Sequence, residues 1–229
     1  MTVPEVSARA LRYWEARQAA VANNLANAGT AGFKGERVFA QLLAEGDLVA
    51  RSRTNFSAGA MAPTGRDLDV ALAGDGFLVV ETDDGAERWT RAGSLSLSPE
   101  GVLVDGGGRA VLGASGPMVL PPGHVEITER GEILVDGEPL GRLRIERPEE
   151  DADPERLGAN LWVPTETRVT LEPEEVRVLQ GHLEDSNVDP VGALVEMIEI
   201  QRAYTAIQRS MQTGDVMMQA ITNEIGRLG

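Results

Sequence analysis

The chain contains no cysteine, only one lysine, two histidines and 4% aromatic residues, and each shortage removes a class of function. Without thiols there are no disulfide staples, thiolate metal sites, cysteine nucleophiles or haem attachment, so stability must come from packing or assembly. Basic residues number 21 against 36 acidic ones, a net charge of -15, and nucleic acid is therefore excluded as a partner, because that affinity rests on cations neutralising phosphates. The apolar runs, such as Phe77-Leu78-Val79-Val80, are far shorter than the ~20 residues that a membrane-spanning helix needs. The opening Met1-Thr2-Val3-Pro4-Glu5 carries no basic segment ahead of an apolar core, so the expectation is a chain without a cleaved secretory signal.

What is present is unevenly distributed. The two ends of the chain are nearly neutral, and the acidic excess lies between them. Neutral ends around an acidic middle suit ends that pack on other protein while the middle meets water. The single lysine, Lys34, stands against twenty arginines and falls in the most motif-like segment of the sequence.

Residues 5 to about 27 lack Gly and carry Leu11, Trp14, Val21 and Leu25 at near-helical spacing, which predicts an amphipathic helix. Asn23, Asn24 and Asn27, followed by Gly29, mark its end, since both residue types accept the left-handed backbone that closes a helix. Between Arg37 and Met61 the pattern suggests a short helix around Phe39 to Leu43 and then an extended polar arm. From Leu68 short apolar alternations follow one another, each bounded by Gly, Pro or Asp, as in Leu68-Asp69-Val70-Ala71-Leu72 and Val102-Leu103-Val104. These are strand and turn signals for an all-β core reaching to about Val178. After Asn187-Val188-Asp189-Pro190, apolar residues recur at Met197, Ile200, Tyr204, Ile207, Met211, Met218, Ile221 and Ile225 in steps that are mostly three and four. That seam predicts one helix of about 60 Å, N-capped by Asp189 with Pro190 in its first turn, and a coiled coil with the N-terminal helix and with neighbouring subunits. The expected fold class is α+β: a central all-β domain of many short strands between long terminal helices that form a coiled coil. The expected domains are 1–36 (helix and signature), 37–66 (extended arm), 67–180 (β-domain) and 181–229 (C-terminal helix).

No catalytic, cofactor or metal site is expected. Asp105-Gly106-Gly107-Gly108-Arg109 lies between short β segments with no Lys-Ser/Thr or helix after it, so it reads as a hairpin turn and not as a phosphate cradle. Asp67, Asp69, Asp75, Asp83 and Asp84 lack the alternating loop that holds calcium and read as solvated turn carboxylates. His124 and His182 are too far apart in sequence to suggest a zinc pair, and no nucleophile motif accompanies them. Paired acids such as Glu149-Glu150-Asp151 would need an aromatic-lined cleft to cut glycosides, which so few aromatics cannot build.

Three segments carry a resemblance. Ala22-Asn23-Asn24-Leu25-Ala26-Asn27-Ala28-Gly29-Thr30-Ala31-Gly32-Phe33-Lys34 resembles the N-terminal signature of bacterial flagellar axial proteins, the basal-body rod and hook family. The stretches from Leu68 to Val80 and from Trp89 to Leu95 resemble that family's β-domain opening. Leu183-Glu184-Asp185-Ser186-Asn187-Val188-Asp189-Pro190-Val191 and Met197-Ile198-Glu199-Ile200-Gln201-Arg202-Ala203-Tyr204 resemble its closing segment.

The resemblance implies a non-enzymatic structural subunit of the flagellar rod, polymerising through terminal helices into a torque-transmitting shaft and needed for motility. It implies as partners other rod subunits, copies of the chain itself and the flagellar type III export apparatus, and no nucleic acid or small-molecule substrate. It also implies a place in the basal body, in the periplasmic space, reached without signal cleavage. One modest β-domain favours rod over hook, and within the rod the proximal type is favoured over the distal one. The motif implies an assembly role for Asn23, Asn24, Leu25, Asn27, Thr30, Gly32, Phe33 and Lys34, with the asparagines satisfying polar groups at the helix end, Gly32 permitting a turn and Phe33 anchoring the arm. The opening residues are more polar than the family's usual start, and Gln18 stands where the seam would prefer an apolar residue. A soluble coiled-coil adaptor or export-associated binding protein is the alternative outside the family.

Overall fold

The computed structural model describes residues 3–42, 48–149, 152 and 154–225; the side chains of residues 3–8, 42, 48, 215 and 218–225 fall outside that description. The chain divides into two compact units. A helical unit gathers Met1–Ala26, Glu36–Thr54 and Asp189–Gly229, and a β unit gathers Asn27–Gly35 and Asn55–Val188.

In the helical unit, α1 (Val3–Ala26) and α2 (Pro190–Ile225) lie in contact and run antiparallel, as two pairs show. Arg17 reaches Glu196 at 2.8 Å, while Glu15, earlier in α1, meets the hydroxyl of Tyr204, later in α2, at 3.3 Å. The start of α2 is capped as expected: the Asp189 carboxylate accepts the Val191 amide at 3.0 Å, and Pro190 occupies the first turn, where no amide hydrogen is needed. Among the described residues of this unit, Ala20, Val21, Ala193 and Ile200 are the buried apolar ones.

The expected α+β class with coiled-coil terminal helices is overturned. Two helices stand among nineteen short strands in the described residues, every strand pairing is antiparallel, and no coiled coil of the terminal helices forms. Of the expected seam only Ile200 is buried; Met197, Tyr204, Ile207 and Met211 are half-buried, and the side chains of Met218, Ile221 and Ile225 lie outside the described residues. The physical reason lies in α1. It spans 24 residues against 36 for α2 and also lies against strands, so it cannot supply a continuous facing seam.

Those strands are a second correction. Residues Glu36–Leu42 (β1) and Leu48–Thr54 (β2) pair as an antiparallel hairpin, Phe39 opposite Arg51 and Ala40 opposite Ala50. The expected helix around Phe39 is therefore a strand, and Leu43, its expected end, lies outside the described residues. The β-branched and aromatic neighbours Val38 and Phe39 suit a pleated ribbon, while the arginines and serine of β2 hide its strand pattern from a search for apolar runs.

The β unit is built on a sheet centred on β5 (Phe77–Glu81), which pairs with β6 (Glu87–Thr90), β9 (Ala110–Gly113) and β14 (Ile145–Pro148). Both faces of β5 are covered. Leu78 and Val80 join a large core with Val111, Leu103, Ile133 and Ile145, whereas Phe77 and Val79 join an aromatic cluster with Trp89 and Trp162. That is why Phe77-Leu78-Val79-Val80 is continuously apolar and does not alternate. Phe77 and Trp89 stack with centroids 5.2 Å apart, and the Trp89 indole donates to buried Glu146 at 2.8 Å. A three-stranded sheet of β11 (Val125–Ile127), β12 (Glu132–Val135) and β13 (Glu138–Arg142) adds to the unit. Two further pairs join distant sequence: β4 (Val70–Leu72) with β18 (Val178–Gln180), and β3 (Met61–Pro63) with β19 (His182–Glu184).

The glycine run at 105–109 is a hairpin turn, as expected: the Asp105 carboxylate accepts the amides of Gly107 and Arg109 at 2.9 and 3.0 Å. Asp69, expected in solvent, is buried, with Arg66 at 3.7 Å.

Candidate functional site

The signature segment divides between the two units, and its parts behave differently. In the helical unit Asn24 grips the first residue of β1 with both ends of its amide: Nδ2 donates to the Glu36 carbonyl at 2.7 Å and Oδ1 accepts the Glu36 amide at 2.8 Å. Asn23 is exposed and Leu25 half-buried.

Asn27 through Gly35 belong to the β unit. The amide of Thr30 donates to the Asn27 carbonyl at 3.0 Å, closing a turn, and the Thr30 hydroxyl donates to the Asn27 side chain at 3.3 Å. Gly32 has a positive φ of 67°, and a Cβ there would stand 2.3 Å from the carbonyl oxygen of Arg91, so the position demands glycine twice over. Phe33 is buried, with the Arg156 guanidinium 4.2 Å above its ring.

Lys34 is fully buried. Its ammonium donates to Glu184 at 2.6 Å and to the Ser57 carbonyl at 2.8 Å. Glu184 also accepts the Gly59 amide at 2.9 Å and faces Arg91 at 3.4 Å; Arg91 in turn donates to the carbonyls of Leu72 and Gly74. Burial holds both Lys34 and Arg91 below their ordinary pKa, and Glu184 works against that fall by stabilising their charged forms. Beside this cluster Asn187 accepts the Gly35 amide at 2.8 Å and donates to the carbonyls of Asn55 and Ser57.

All three segments that carry the resemblance thus converge on one buried polar cluster: Gly32 to Lys34 from the first, Arg91 from the second, and Glu184 and Asn187 from the third. Sequence reasoning placed Lys34 in the motif but missed its partner, 150 positions away, and the only available signal was that Glu184 lies in the closing segment. Phe33 is part of the β unit's interior.

A different surface is open in the helical unit. Val191, Leu194, Val195 and Ile198 are each at least 50% exposed, and their spacing of three, four and seven puts them on one face of α2. Val216 and Met217 are exposed further along the same helix. The seam expected from the sequence, Met197 to Met211, is the other, buried to half-buried side of α2, and heptad spacing alone did not point to this second apolar stripe. No helix among the described residues is long and apolar enough to cross a membrane.

Three family models match successive parts of the chain: the flagella basal body rod protein model over residues 5–34, the flagellar hook protein FlgE/F/G D1 domain over 71–135, and the flagellar basal body rod FlgEFG protein C-terminal over 179–224. Among relatives, the flagellar basal-body rod protein FlgF of Caulobacter vibrioides is 32% identical over 228 residues, covering 91% of each chain. FlgF of Salmonella typhimurium is 34% identical over 82% of this chain and 84% of its own. FlgG of Buchnera aphidicola from Acyrthosiphon pisum is 30% identical over 88% of this chain and 91% of its own. This chain belongs to the family of flagellar basal-body rod proteins of the FlgF/FlgG type.

Proposed function

We propose that the chain is a structural subunit of the flagellar basal-body rod, needed for motility, which joins other rod subunits and copies of itself through its helical unit. The observation that carries the mode of assembly is the exposed apolar face of α2, since contiguous apolar surface left uncovered on a single chain marks a site of association. Head-to-tail repetition of such a contact generates an open helical polymer, and helices packed along its axis transmit torque as packing strain. Family membership supports a structural role without catalysis, a place in the basal body and, more specifically, delivery by the flagellar type III export apparatus to the periplasmic part of the rod.

Within the rod the FlgF type is the closer fit. The matches to FlgF extend over 228 and 212 residues, whereas those to FlgG need 245 and 247, more than the 229 residues of this chain, so FlgG carries segments absent here.

The test is complementation. A strain lacking its own copy regains swimming when this chain is supplied, and purified hook-basal bodies contain it; a chain that stays in the soluble fraction of motile cells as a closed dimer or trimer would support an adaptor instead.

A further inference from the structure

The β unit has a cavity of about 210 Å³ that the rod-subunit reading leaves unused. Phe56, Phe77, Gly76 and Pro148 supply its apolar wall, and Arg91, Arg147 and Asp75 its charges. The volume is below the ~300–1,000 Å³ of small-molecule sites and suits a single side chain.

Two cations here are incompletely matched. Arg147 is half-buried and has neither an ion pair nor a side-chain hydrogen bond among the described residues. Arg91 is 6% exposed, and its Nε is buried without an acceptor. Glu184 is shared between Arg91 and Lys34, and Asp75 stands exposed at the mouth. Lys34, Arg91 and Arg147 against Glu184 and Asp75 leave one positive charge uncompensated, in a chain whose net charge is -15. A buried donor without an acceptor costs free energy, and so does a half-desolvated cation without an anion. An aliphatic stem ending in a carboxylate would supply the anion that Arg147 lacks, its methylenes on Phe56 and Phe77 and its oxygens toward the Arg147 and Arg91 guanidinium groups.

We propose that this cavity receives a glutamate side chain from a second copy of the chain. A second copy is the natural source, because with 36 acidic residues its surface is rich in carboxylates, and the inference rests on the reading that copies assemble side by side in the rod.

The full-length protein is titrated with N-acetyl-glutamate N-methylamide while backbone amide resonances are followed. Saturable shifts at Gly76 and Phe77 are expected, absent with the glutamine counterpart, with at least a five-fold weaker affinity in Arg147→Gln. No saturable shift, or equal shifts with glutamine, would overturn the site. In cells, a photo-crosslinking residue replacing Pro148 is expected to join two copies of the chain; a crosslink only to a different protein, or none, would overturn the assignment to a second copy. Incorporation of Arg147→Glu into rods separates this proposal from the one it rests on. If Arg147→Glu assembles normally while Ile198→Asp does not, the cavity proposal fails and the rod reading stands.

Discussion

Lys34 and Glu184 meet at 2.6 Å with both side chains 1% exposed, joining the end of the N-terminal signature to the start of the C-terminal one. A buried pair of this kind is costly to break, because either partner left alone is an uncompensated charge in a medium of low dielectric constant. Lys34→Met should therefore destabilise the protein by about 3–5 kcal/mol in urea denaturation. Lys34→Met combined with Glu184→Gln should recover part of that loss; a single variant within 1 kcal/mol of the natural protein would show that the pair is not what holds these segments.

Gly32 and Gly65 form a controlled comparison. Both have positive φ, 67° and 70°, but only at Gly32 would a Cβ collide with backbone. Gly65→Ala should cost about 1 kcal/mol, the left-handed penalty alone, and Gly32→Ala clearly more. Equal melting temperatures for the two variants would remove the close approach to Arg91 as the reason for glycine.

Asn24 makes two hydrogen bonds to the backbone of Glu36, and Asn24→Ala removes both. The expected loss is about 1–3 kcal/mol, with faster hydrogen exchange at the Glu36 amide. Asn24→Asp keeps the acceptor and should leave that amide protected.

Glu87 is paired with Arg144 at 2.6 Å and Arg168 at 2.9 Å, and the hydrogen bond from Arg144 is the main cause that holds its pKa below the ordinary glutamate value of 4.5. In the unfolded chain Glu87 binds a proton at a higher pH than in the folded one. Its contribution is thus fully present above 4.5 and is lost as pH falls through the folded value. Stability measured from pH 6 down to pH 3 should fall less steeply in Glu87→Gln than in the natural protein; parallel curves would contradict the pairing.

The parts of the fold that were legible in the sequence are those whose cause is local. The cap at Asp189-Pro190, the turn at Asp105 and the short β segments each announce themselves within a few residues. The β1–β2 hairpin was not legible, because neither strand alternates and Arg51, Ser52 and Arg53 make β2 polar, and the ladder between Phe39 and Arg51 is a pairing that only the fold reveals. The coiled coil was read from heptad spacing at Met197 to Met211, yet spacing does not say what lies opposite, and α1 could not face the whole seam. The cluster around Lys34 was half legible. A lone lysine in a motif is visible, but Arg91 and Glu184 come from segments far apart in sequence that only the folded chain brings together.

Assembly through the exposed face of α2 is tested most directly by Ile198→Asp. Ile198 is 50% exposed, so the aspartate should leave the melting temperature of the isolated protein within about 2 °C of the natural one, in keeping with the small effect of surface substitutions. The decisive measurement is the amount of this variant in purified hook-basal bodies from cells that lack the natural copy. A folded protein that is absent from rods, in cells that do not swim, is the expected result; normal incorporation and normal swimming would contradict assembly through this face.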